Sequence, residues 1–347
     1  MKISILWSRL TPYVVPFFRH LSQEHHATIQ LVCRENDPNA PFAQFNLSFA
    51  SESLTLSDDV ETAVHAFQPD VILMSGWRFD KYRRAARRAR KSGALVIAGM
   101  GNQWRGTMKQ RLAVLASSVY LKPYIDVIWC AGDRQALFAK SLGYDDVMYG
   151  FNCANSKLFF TDANQRELPH SFMFVGRLVK EKGIHDLVQA YKTYRSNTPT
   201  PWSLHIYGGG PQKKLVTDVE GLHYEGFVQP ENLPAVYRRH GAFILPSHYE
   251  PWGVVIHEAA LSGLPIIATR PVGAITWFLR DGVNGFIVPE QSPPLLAHAM
   301  RSISDKNSRQ LRDMSYVSEQ LGKLWTTQQH ASYFVEQVLR RKKELNP

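Results

Sequence analysis

Long apolar runs and closely spaced cysteines are both absent from this 347-residue sequence. No apolar stretch approaches the roughly 18 residues that a membrane-spanning helix needs. The three cysteines, Cys33, Cys130 and Cys153, lie far apart, which argues against a disulfide scaffold or a cysteine-rich zinc site and favours a reducing cytosol. The first residues, MKISILW, enter a strand-like pattern without the cleavage site of a signal peptide, so a cytoplasmic protein is expected.

Several motifs of nucleotide and metal chemistry are also missing. The sequence has no Gly-x-Gly-x-x-Gly after a strand and no P-loop, so a dinucleotide fingerprint and an ATPase-type site are both unexpected. It contains neither His-Glu-x-x-His nor an Asp-x-Asp pair that could hold a divalent metal on a nucleotide. We therefore expect no metal and no resident cofactor.

Apolar strand-like runs alternate with helical patterns along the chain, as is typical of parallel βαβ units. One series runs from KISILW to DVIWCA, and a second runs from SFMFVGR to GFIVP. This predicts two doubly wound α/β domains facing each other across a cleft, with ligands beyond the carboxyl ends of the strands. A long helical pattern from about Ser315 to Lys343 ends the chain. The predicted parts are residues 1–165, residues 166–325, and a C-terminal helix, 326–347, that packs back toward the first domain.

The net charge of +10 comes from one stretch, Gly76–Arg111, which has eleven basic residues and one acid, Asp80. Removing these from the totals of 40 and 30 leaves 29 basic and 29 acidic residues elsewhere. The helical pattern FDKYRRAARRARKS in this stretch is either a solvated helix face or a docking surface for phosphates of a membrane or an acceptor. The candidate contact residues are Arg83, Arg84, Arg87, Arg88 and Arg105.

A second helical pattern, TMKQRLAVLASSVYL, follows the basic stretch. Its apolar residues, Met108, Leu112, Leu115 and Val119, recur at helical spacing. Core packing is their expected role, and partial contact with a membrane is the alternative.

Two loops of the second half combine glycine with positive charge. Arg177 and Lys182 follow the strand SFMFV, and a forked guanidinium with a compact ammonium suits a diphosphate. Gly208 and Gly210 follow the next strand, where glycines either admit a ligand close to the backbone or form a plain turn.

A third segment, LPSHYEPWGVVIHEAALSGLP, reads as a strand, a loop and a helix. The helix is predicted to begin near Pro251 and to end at Gly263. Its first N–H groups, around Trp252–Val254, would suit a phosphate or sugar oxygen. Glu250 and Glu258 suit vicinal hydroxyls, of a hexose and a ribose respectively, because a carboxylate accepts paired hydrogen bonds.

Together these motifs resemble the retaining glycosyltransferases of family four, in particular bacterial members that build polysaccharides or glycolipids. The resemblance implies the GT-B fold, in which two Rossmann-like domains face each other. It spans essentially the whole second domain. The matching segments are GRLVKEKG (176–183), YGGGP (207–211), GFV (226–228), E-P-W-G-x4-E-A-A-L-S-G-L-P (250–265) and DGVNGFIVP (281–289).

The resemblance also implies roles for individual residues. Arg177 and Lys182 would neutralise the diphosphate of a nucleotide-sugar donor such as a UDP-sugar, Glu258 would hold its ribose, and Glu250 would contact the transferred sugar. The remaining donor contacts would come from Gly208, Gly210, Phe227 and Val228 near the base, and from the backbone of Pro251, Trp252, Gly253 and Val254 around sugar and phosphate. The implied reaction is metal-independent transfer of a hexose, with retention, to a hydroxyl of a glycan or lipid-linked glycan.

The first domain departs from the family pattern, because the segment after its fourth expected strand, GMGNQWRG, lacks the usual histidine. Asn102, Gln103 or Arg105 would have to supply its contacts. Two other functions stay open: a nucleotide-sugar epimerase with the same two-domain fold, and a nucleic-acid-binding protein that uses the basic stretch. The second has little support, because few aromatic residues are interleaved with the basic ones.

Overall fold

The computed structural model describes residues 1–34, 45–160 and 167–345. Its contacts divide the chain into two compact units. The first unit comprises Met1–Cys153 and Thr327–Pro347, and the second comprises Ala154–Thr326. The domain boundary predicted at residues 165 and 166 lies outside the described residues.

Each unit is built on one parallel sheet. The strands of the first sheet are β1 (Lys2–Trp7), β2 (Thr28–Cys33), β3 (Glu52–Thr55), β4 (Val71–Met74), β5 (Leu95–Met100), β6 (Val127–Cys130) and β7 (Val147–Met148). The strands of the second sheet are β8 (Ser171–Val175), β9 (Ser203–Tyr207), β10 (Leu222–Gly226), β11 (Ala242–Leu245), β12 (Ile266–Thr269) and β13 (Gly285–Val288).

Helices connect the strands and continue beyond the second sheet. They are α1 (Val15–Gln23), α2 (Val60–Phe67), α3 (Asp80–Lys91), α4 (Met108–Tyr120), α5 (Asp133–Ser141), α6 (Ser156–Phe159), α7 (Ile184–Ser196), α8 (Leu233–Tyr237), α9 (Val254–Leu261), α10 (Ile275–Phe278), α11 (Pro293–Ser304), α12 (Ser308–Lys323) and α13 (Thr327–Leu345). Among the described residues, no helix is both long enough and apolar enough to span a bilayer.

The strand order of both sheets is that of a doubly wound fold. The first sheet runs β3-β2-β1-β4-β5-β6-β7 and the second runs β10-β9-β8-β11-β12-β13. Helices cover both faces of such sheets, so central strands are buried on both sides and consist of nearly continuous apolar runs. This is the case for β5 and β11, in which every residue is buried. The predicted fold class, two doubly wound α/β domains, is therefore confirmed.

The last helix, α13, belongs to the first unit and joins it through aromatic packing. Phe334 stacks on Trp129 with ring centroids 5.2 Å apart and meets Phe17 of α1 edge-on at 5.7 Å. All three rings are buried. Nearer the end of α13, Arg341 forms an ion pair with Asp146 at 2.7 Å. Aromatic burial of this extent stabilises the docked helix more than any single surface ion pair would.

The helical pattern from about Ser315 to Lys343 is divided between two helices. Helix α12 ends at Lys323 and α13 begins at Thr327. The two helices bury their apolar faces against different partners, α12 against α9 in the second unit and α13 against α1 in the first. Because each helix must present its own apolar stripe to its own unit, the chain breaks between them.

The core packing predicted for the second helical pattern is also wrong. In α4 the buried residue is Ser117, whereas Met108, Leu112, Leu115 and Val119 are exposed. The helix forms as predicted, but it contacts its unit through Ser117 and the partly buried Val114, on the side away from these four residues. Helical spacing of apolar residues predicts that one face is apolar and does not fix what that face contacts.

His257, in the middle of α9, links three segments of the second unit. Its Nδ1 accepts a hydrogen bond from the Ala154 N–H at 3.0 Å, and its Nε2 lies 3.0 Å from the Gly322 carbonyl oxygen. The ring stacks on Phe278 with centroids 4.1 Å apart, and the residue has no exposed surface. This pattern requires the neutral ring with a proton on Nε2. Burial lowers the pKa of His257 to about 4.

We expect His257 to make the stability of the protein pH-dependent. Its pKa is depressed in the folded state, so its contribution is complete above the unfolded pKa of about 6.5 and is lost as the pH falls toward 4. Between pH 7 and pH 4.5 this amounts to about 2.5 kcal/mol of unfolding free energy. Urea unfolding at both pH values, compared between wild type and His257→Gln, measures it.

The matched control is His185→Gln, because the side chain of His185 is 60% exposed. This variant should keep the pH dependence of the wild type, while His257→Gln should show a smaller one. Equal pH dependence in all three proteins would contradict the role given to His257.

Candidate functional site

The order of the second sheet reverses between β8 and β11. From β8 the chain passes through α7 to β9 on one side, and from β11 it passes through α9 to β12 on the other. The loops that follow β8 and β11 therefore leave the carboxyl edge of the sheet side by side, where open α/β sheets bind ligands. Arg177 and Lys182 lie on the first loop and Glu250 lies on the second.

An ion pair between Lys182 and Glu250 joins these two loops. The Lys182 Nζ donates a hydrogen bond to the Glu250 Oε2, although the residues are 68 positions apart in the chain. The side chains are only 16% and 13% exposed, so water screens the pair less than it would screen a surface pair. The structure thus brings together two of the site residues predicted from sequence.

Arg177 lies beside this pair in sequence but is not paired itself. It follows Gly176 at the end of β8, and its side chain is exposed. Its guanidinium makes no hydrogen bond or ion pair with another described residue. The loop therefore holds one neutralised cation, Lys182, whereas Arg177 and Lys180 are exposed.

Gly208 and Gly210, in the loop after β9, pack against the backbone of the loop after β8. Gly208 has a φ of 132°, and a Cβ atom there would overlap the carbonyl oxygen of Gly176. The Leu178 N–H donates to the Gly209 carbonyl oxygen at 2.8 Å. The close approach of these two backbone segments explains the glycine at position 208, and the geometry of a simple turn does not have to be invoked.

Helix α9 begins at Val254, so the start predicted near Pro251 is wrong. Gly253 is the N-cap in a left-handed conformation, with a φ of 90°. The residues before it are held in an extended path, since the Gly273 N–H donates to the Glu250 carbonyl oxygen at 3.0 Å. The first amides of α9 still point out of the helix, because the helix itself supplies no acceptors for them.

The Trp252 ring packs inward and is 4% exposed. It lies edge-on to Trp277 with centroids 5.7 Å apart, and its indole nitrogen is buried without a hydrogen-bond partner in the described part of the chain. This ring anchors the loop before α9 in the interior of the second unit.

Glu258 lies within α9 and differs from Glu250 in its surroundings. The Tyr237 Oη donates a hydrogen bond to the Glu258 Oε2 at 2.9 Å. Burial raises the pKa of Glu258 to about 7, although the hydrogen bond from Tyr237 acts in the opposite direction. At neutral pH this carboxyl group is therefore divided between its charged and neutral forms.

Phe227 and Val228 directly follow β10 at the same edge of the sheet. The Phe227 side chain is 45% exposed. The Gly208 N–H donates to the Gly226 carbonyl oxygen at 2.7 Å, which ties this segment to the glycine loop after β9. The edge thus presents an exposed aromatic ring next to a glycine-lined backbone.

His248, in the loop after β11, and Asp186, in the first turn of α7, form a second link that the sequence analysis missed. The His248 Nε2 lies 2.6 Å from the Asp186 Oδ2, and the side chains are 19% and 14% exposed. The His248 N–H also donates to the Glu181 carbonyl oxygen at 2.8 Å. His248 stands inside a motif that was singled out and Asp186 lies just beyond another, but nothing in the sequence indicates that they pair across 62 positions.

In the first unit, three of the five candidate arginines are in ion pairs. Arg83 and Arg84 contact Asp80 at 3.0 and 2.7 Å, and Arg88 lies 3.9 Å from Glu61. Glu61 belongs to α2, outside the basic stretch. Charge counting within the stretch could not reveal this partner.

The other two candidates differ from these three. Arg87 lies over the Tyr124 ring, 6.0 Å from its centroid. Arg105 lies in the loop before α4, where its backbone N–H donates a hydrogen bond to the Gln110 Oε1 at 2.8 Å. In residues 1–34, 45–160 and 167–345, no three His, Cys, Asp or Glu side chains gather in a way that could hold a metal ion.

Residues 157–320 match the family model described as glycosyl transferases group 1. Among curated proteins, the chain is 33% identical over 153 residues to glycogen synthase of Mycobacterium tuberculosis. That match covers 42% of this chain and 36% of the relative. The matched part of the chain therefore spans little more than a third of the length of this relative.

Two solved structures share the fold over nearly the whole chain. Sucrose-phosphate synthase from Thermosynechococcus elongatus has a TM-score of 0.76 at 17% identity, with 100% of both chains covered. Anabaena HepE, solved in complex with UDP, has a TM-score of 0.73 at 16% identity, with 98% of this chain and 100% of HepE covered. At such identities the likeness concerns the fold alone, and it agrees with the GT-B fold class.

We expect His248 and Asp186 to be energetically coupled. The free energies of unfolding of His248→Ala, Asp186→Ala and the double variant should reveal a coupling of about 1.5 kcal/mol. Either single substitution already removes the partly buried hydrogen bond to the charged group, so the double variant loses this bond only once. Urea denaturation of the four proteins measures this coupling.

His185 provides the control, because its Nδ1 lies 3.6 Å from the other oxygen of Asp186 on a side chain that is 60% exposed. The cycle of His185→Ala with Asp186→Ala should show a coupling of about 0.3 kcal/mol or less. Coupling energies of the same size for both histidines would contradict a specific link through His248.

Proposed function

We propose that this chain is a glycosyltransferase that moves a hexose from a nucleotide-diphospho-sugar to a hydroxyl of a glycan or lipid-linked glycan. The observation that carries the proposal is the set of charged groups at the strand-order reversal of the second sheet. Arg177, Lys182 and the N-terminus of α9 lie on the two loops that flank this point. The match of residues 157–320 to the glycosyl transferases group 1 model supports the same reading.

The chemistry follows from where charge develops. Breaking the bond between the sugar and the diphosphate leaves negative charge on the departing phosphate, and fixed positive groups aimed at that charge lower the barrier. In the free protein Lys182 is paired with Glu250. Binding of the diphosphate lets Lys182 interact with phosphate oxygens, while Arg177 adds a bidentate donor and the α9 amides add N–H groups.

The two glutamates are proposed to bind different parts of the donor. Glu250, beside Lys182, contacts the hydroxyls of the transferred sugar, and Glu258 accepts hydrogen bonds from the ribose. Phe227 and Val228 border the base. The backbone around Gly208, Gly210 and the residues from Pro251 to Val254 closes around the phosphates and the sugar.

A uridine nucleotide is the proposed donor type, because HepE, which shares the fold, was solved with UDP. Retention of anomeric configuration, metal independence and an acceptor at the cytoplasmic membrane face complete the proposal. A nucleotide-sugar epimerase would convert the donor without an acceptor, so formation of epimerised nucleotide-sugar distinguishes it. A nucleic-acid-binding protein would instead show salt-sensitive binding to random oligonucleotides without donor hydrolysis.

We expect Lys182→Ala to lower kcat/KM for donor hydrolysis or sugar transfer by about 10²- to 10³-fold, equivalent to about 2.7–4 kcal/mol. The loss has two causes: the diphosphate loses a cation, and Glu250 keeps its negative charge beside it. Wild type is first assayed for hydrolysis with a panel of nucleotide-sugars, and the accepted donor is then used for the variants. EDTA in the assay tests metal independence, and NMR of the product tests retention.

Lys180→Ala is the matched control, because Lys180 lies in the same short 3-10 turn, Lys180–Lys182, and is exposed. It should keep activity within about twofold of wild type. An active Lys182→Ala variant, or equal losses in the two variants, would overturn the assignment of Lys182 to the diphosphate.

We expect Glu258 to make donor binding pH-dependent. If the ribose hydroxyls require the carboxylate, the Kd for UDP-glucose should fall by up to about tenfold between pH 6 and pH 8, as the carboxyl group with its pKa of about 7 ionises. UDP-glucose is the suitable probe, because its diphosphate diester keeps the same charge over this range. Isothermal titration calorimetry measures the change.

Glu258→Gln should show a Kd that does not change with pH in this range. Tyr237→Phe removes a hydrogen bond that lowers the pKa of Glu258, so its transition should move to higher pH. A wild-type Kd that stays constant from pH 6 to pH 8 would contradict ribose binding by the carboxylate form.

A further inference from the structure

Helix α4 exposes a continuous line of large apolar side chains, here called the α4 stripe. Its members are Met108, Leu112, Leu115 and Val119, which are 69%, 60%, 79% and 79% exposed. At about 100° per residue these positions fall within about 60° of the helix circumference. Exposed apolar residues that occur singly need no explanation, but four in one line on one helix do.

The α4 stripe points away from the unit that carries it. Ser117, the buried residue of α4, lies about 170° around the helix from the centre of the stripe. The helix is attached on that side, and at its end the Arg83 guanidinium of α3 lies over the Tyr120 ring, 5.2 Å from the centroid. Nothing in the described first unit covers the four side chains.

Positive charges border the α4 stripe on both sides. Lys109 and Arg111 lie about 90° and 70° from its centre, in opposite directions around the helix. Neither Asp nor Glu occurs from residue 81 to residue 125. Arg87 of α3 adds a cation at the Tyr124 ring, and Trp104, just before α4, is 41% exposed.

This arrangement distinguishes between the surfaces that could cover the stripe. A second copy of the chain would bring Lys109 and Arg111 against the same cations of its partner. A nucleic acid would engage the cations but leave the aliphatic side chains in water. An anionic bilayer satisfies both, since the side chains enter the boundary between headgroups and acyl chains while Lys and Arg remain among the phosphates.

We propose that α4 docks the protein on an anionic lipid bilayer, with Met108, Leu112, Leu115 and Val119 inserted below the headgroups. Apolar insertion of one short helix binds weakly by itself, and a second, electrostatic contribution makes the attachment stable. Binding should therefore require both the stripe and acidic lipid. The inference concerns a surface of the first unit and does not depend on the proposed sugar transfer.

Vesicle flotation of the full chain tests the proposal. We expect recovery with phosphatidylcholine vesicles that contain 30% phosphatidylglycerol and little recovery with pure phosphatidylcholine. Leu112→Gln/Leu115→Gln/Val119→Gln and Lys109→Gln/Arg111→Gln should each lower the partition coefficient at least tenfold. Because all five side chains are exposed, the variants should keep the thermal stability of wild type.

The matched control is Val283→Gln/Leu324→Gln/Leu339→Gln, which removes three exposed apolar side chains away from α4. It should float like wild type. Equal loss in this control, unchanged flotation of the stripe variant, or equal recovery of wild type on neutral and anionic vesicles would each overturn the proposal.

A fluorescent label reports insertion directly and separates it from electrostatic adsorption. An NBD group on Leu115→Cys should shift to shorter wavelength on anionic vesicles, whereas the same group on Ala113→Cys should not, since residue 113 is exposed on another side of α4. Bound protein with no shift at position 115 would show adsorption by charge alone and would refute insertion. Donor hydrolysis needs no vesicles, so it tests the proposed function separately.

Discussion

The ion pair between Lys182 and Glu250 joins the two loops that leave the second sheet where its strand order reverses. The rest of the candidate site depends on this connection, because parallel strands deliver both loops to one edge but do not fix their separation. The pair is backed by the His248–Asp186 contact and by the His248 N–H on the Glu181 carbonyl oxygen. Cations placed close enough together to bind one anion repel each other. In this structure Lys182 is neutralised by the Glu250 carboxylate, whereas Arg177 is exposed to water.

The two glutamates show how one chemical group can lie in two different surroundings. Glu250 lies in the loop before α9 and is paired with the Lys182 ammonium. Glu258 lies one to two turns inside α9, where burial raises its pKa to about 7 and Tyr237 is its hydrogen-bond donor. A group that stays partly neutral when unliganded can gain charge as hydroxyl donors approach. The spacing of eight residues between Glu250 and Glu258 is therefore less informative than the boundary between loop and helix at Gly253, which separates the two glutamates.

Much of the fold could be predicted because buried parallel strands are nearly uniform apolar runs, such as LVIAGM of β5 and AFIL of β11. Short or partly exposed strands such as β3 and β7 lack that signal. The start of α9 was misplaced because proline marks early helix positions only on average, while the left-handed conformation of Gly253 is decided by packing around it. Helical periodicity continues through the break between α12 and α13, and the change of packing partner explains why the chain turns there. Candidate site residues can be proposed from local motifs, whereas pairs across 62 or more positions, such as His248 with Asp186, are seen only in the folded structure.

Helix α4 shows most clearly what the spacing of apolar residues cannot predict, because a core helix and a membrane-surface helix share the same spacing. What separates them is the chemistry at the borders of the stripe. On a helix that packs against a core, the residues beside the apolar stripe pack at the edge of that core. The residues on the outer face of such a helix can carry charge of either sign. The α4 stripe is bordered by Lys109 and Arg111 in a stretch without acids, so its borders favour phosphate headgroups and oppose a second copy of the chain. Four side chains also make a small patch, and the surrounding cations work against self-association. The basic stretch of the sequence and the exposed apolar side chains of α4 thus belong to one surface, and an anionic bilayer is the proposed partner that fits both.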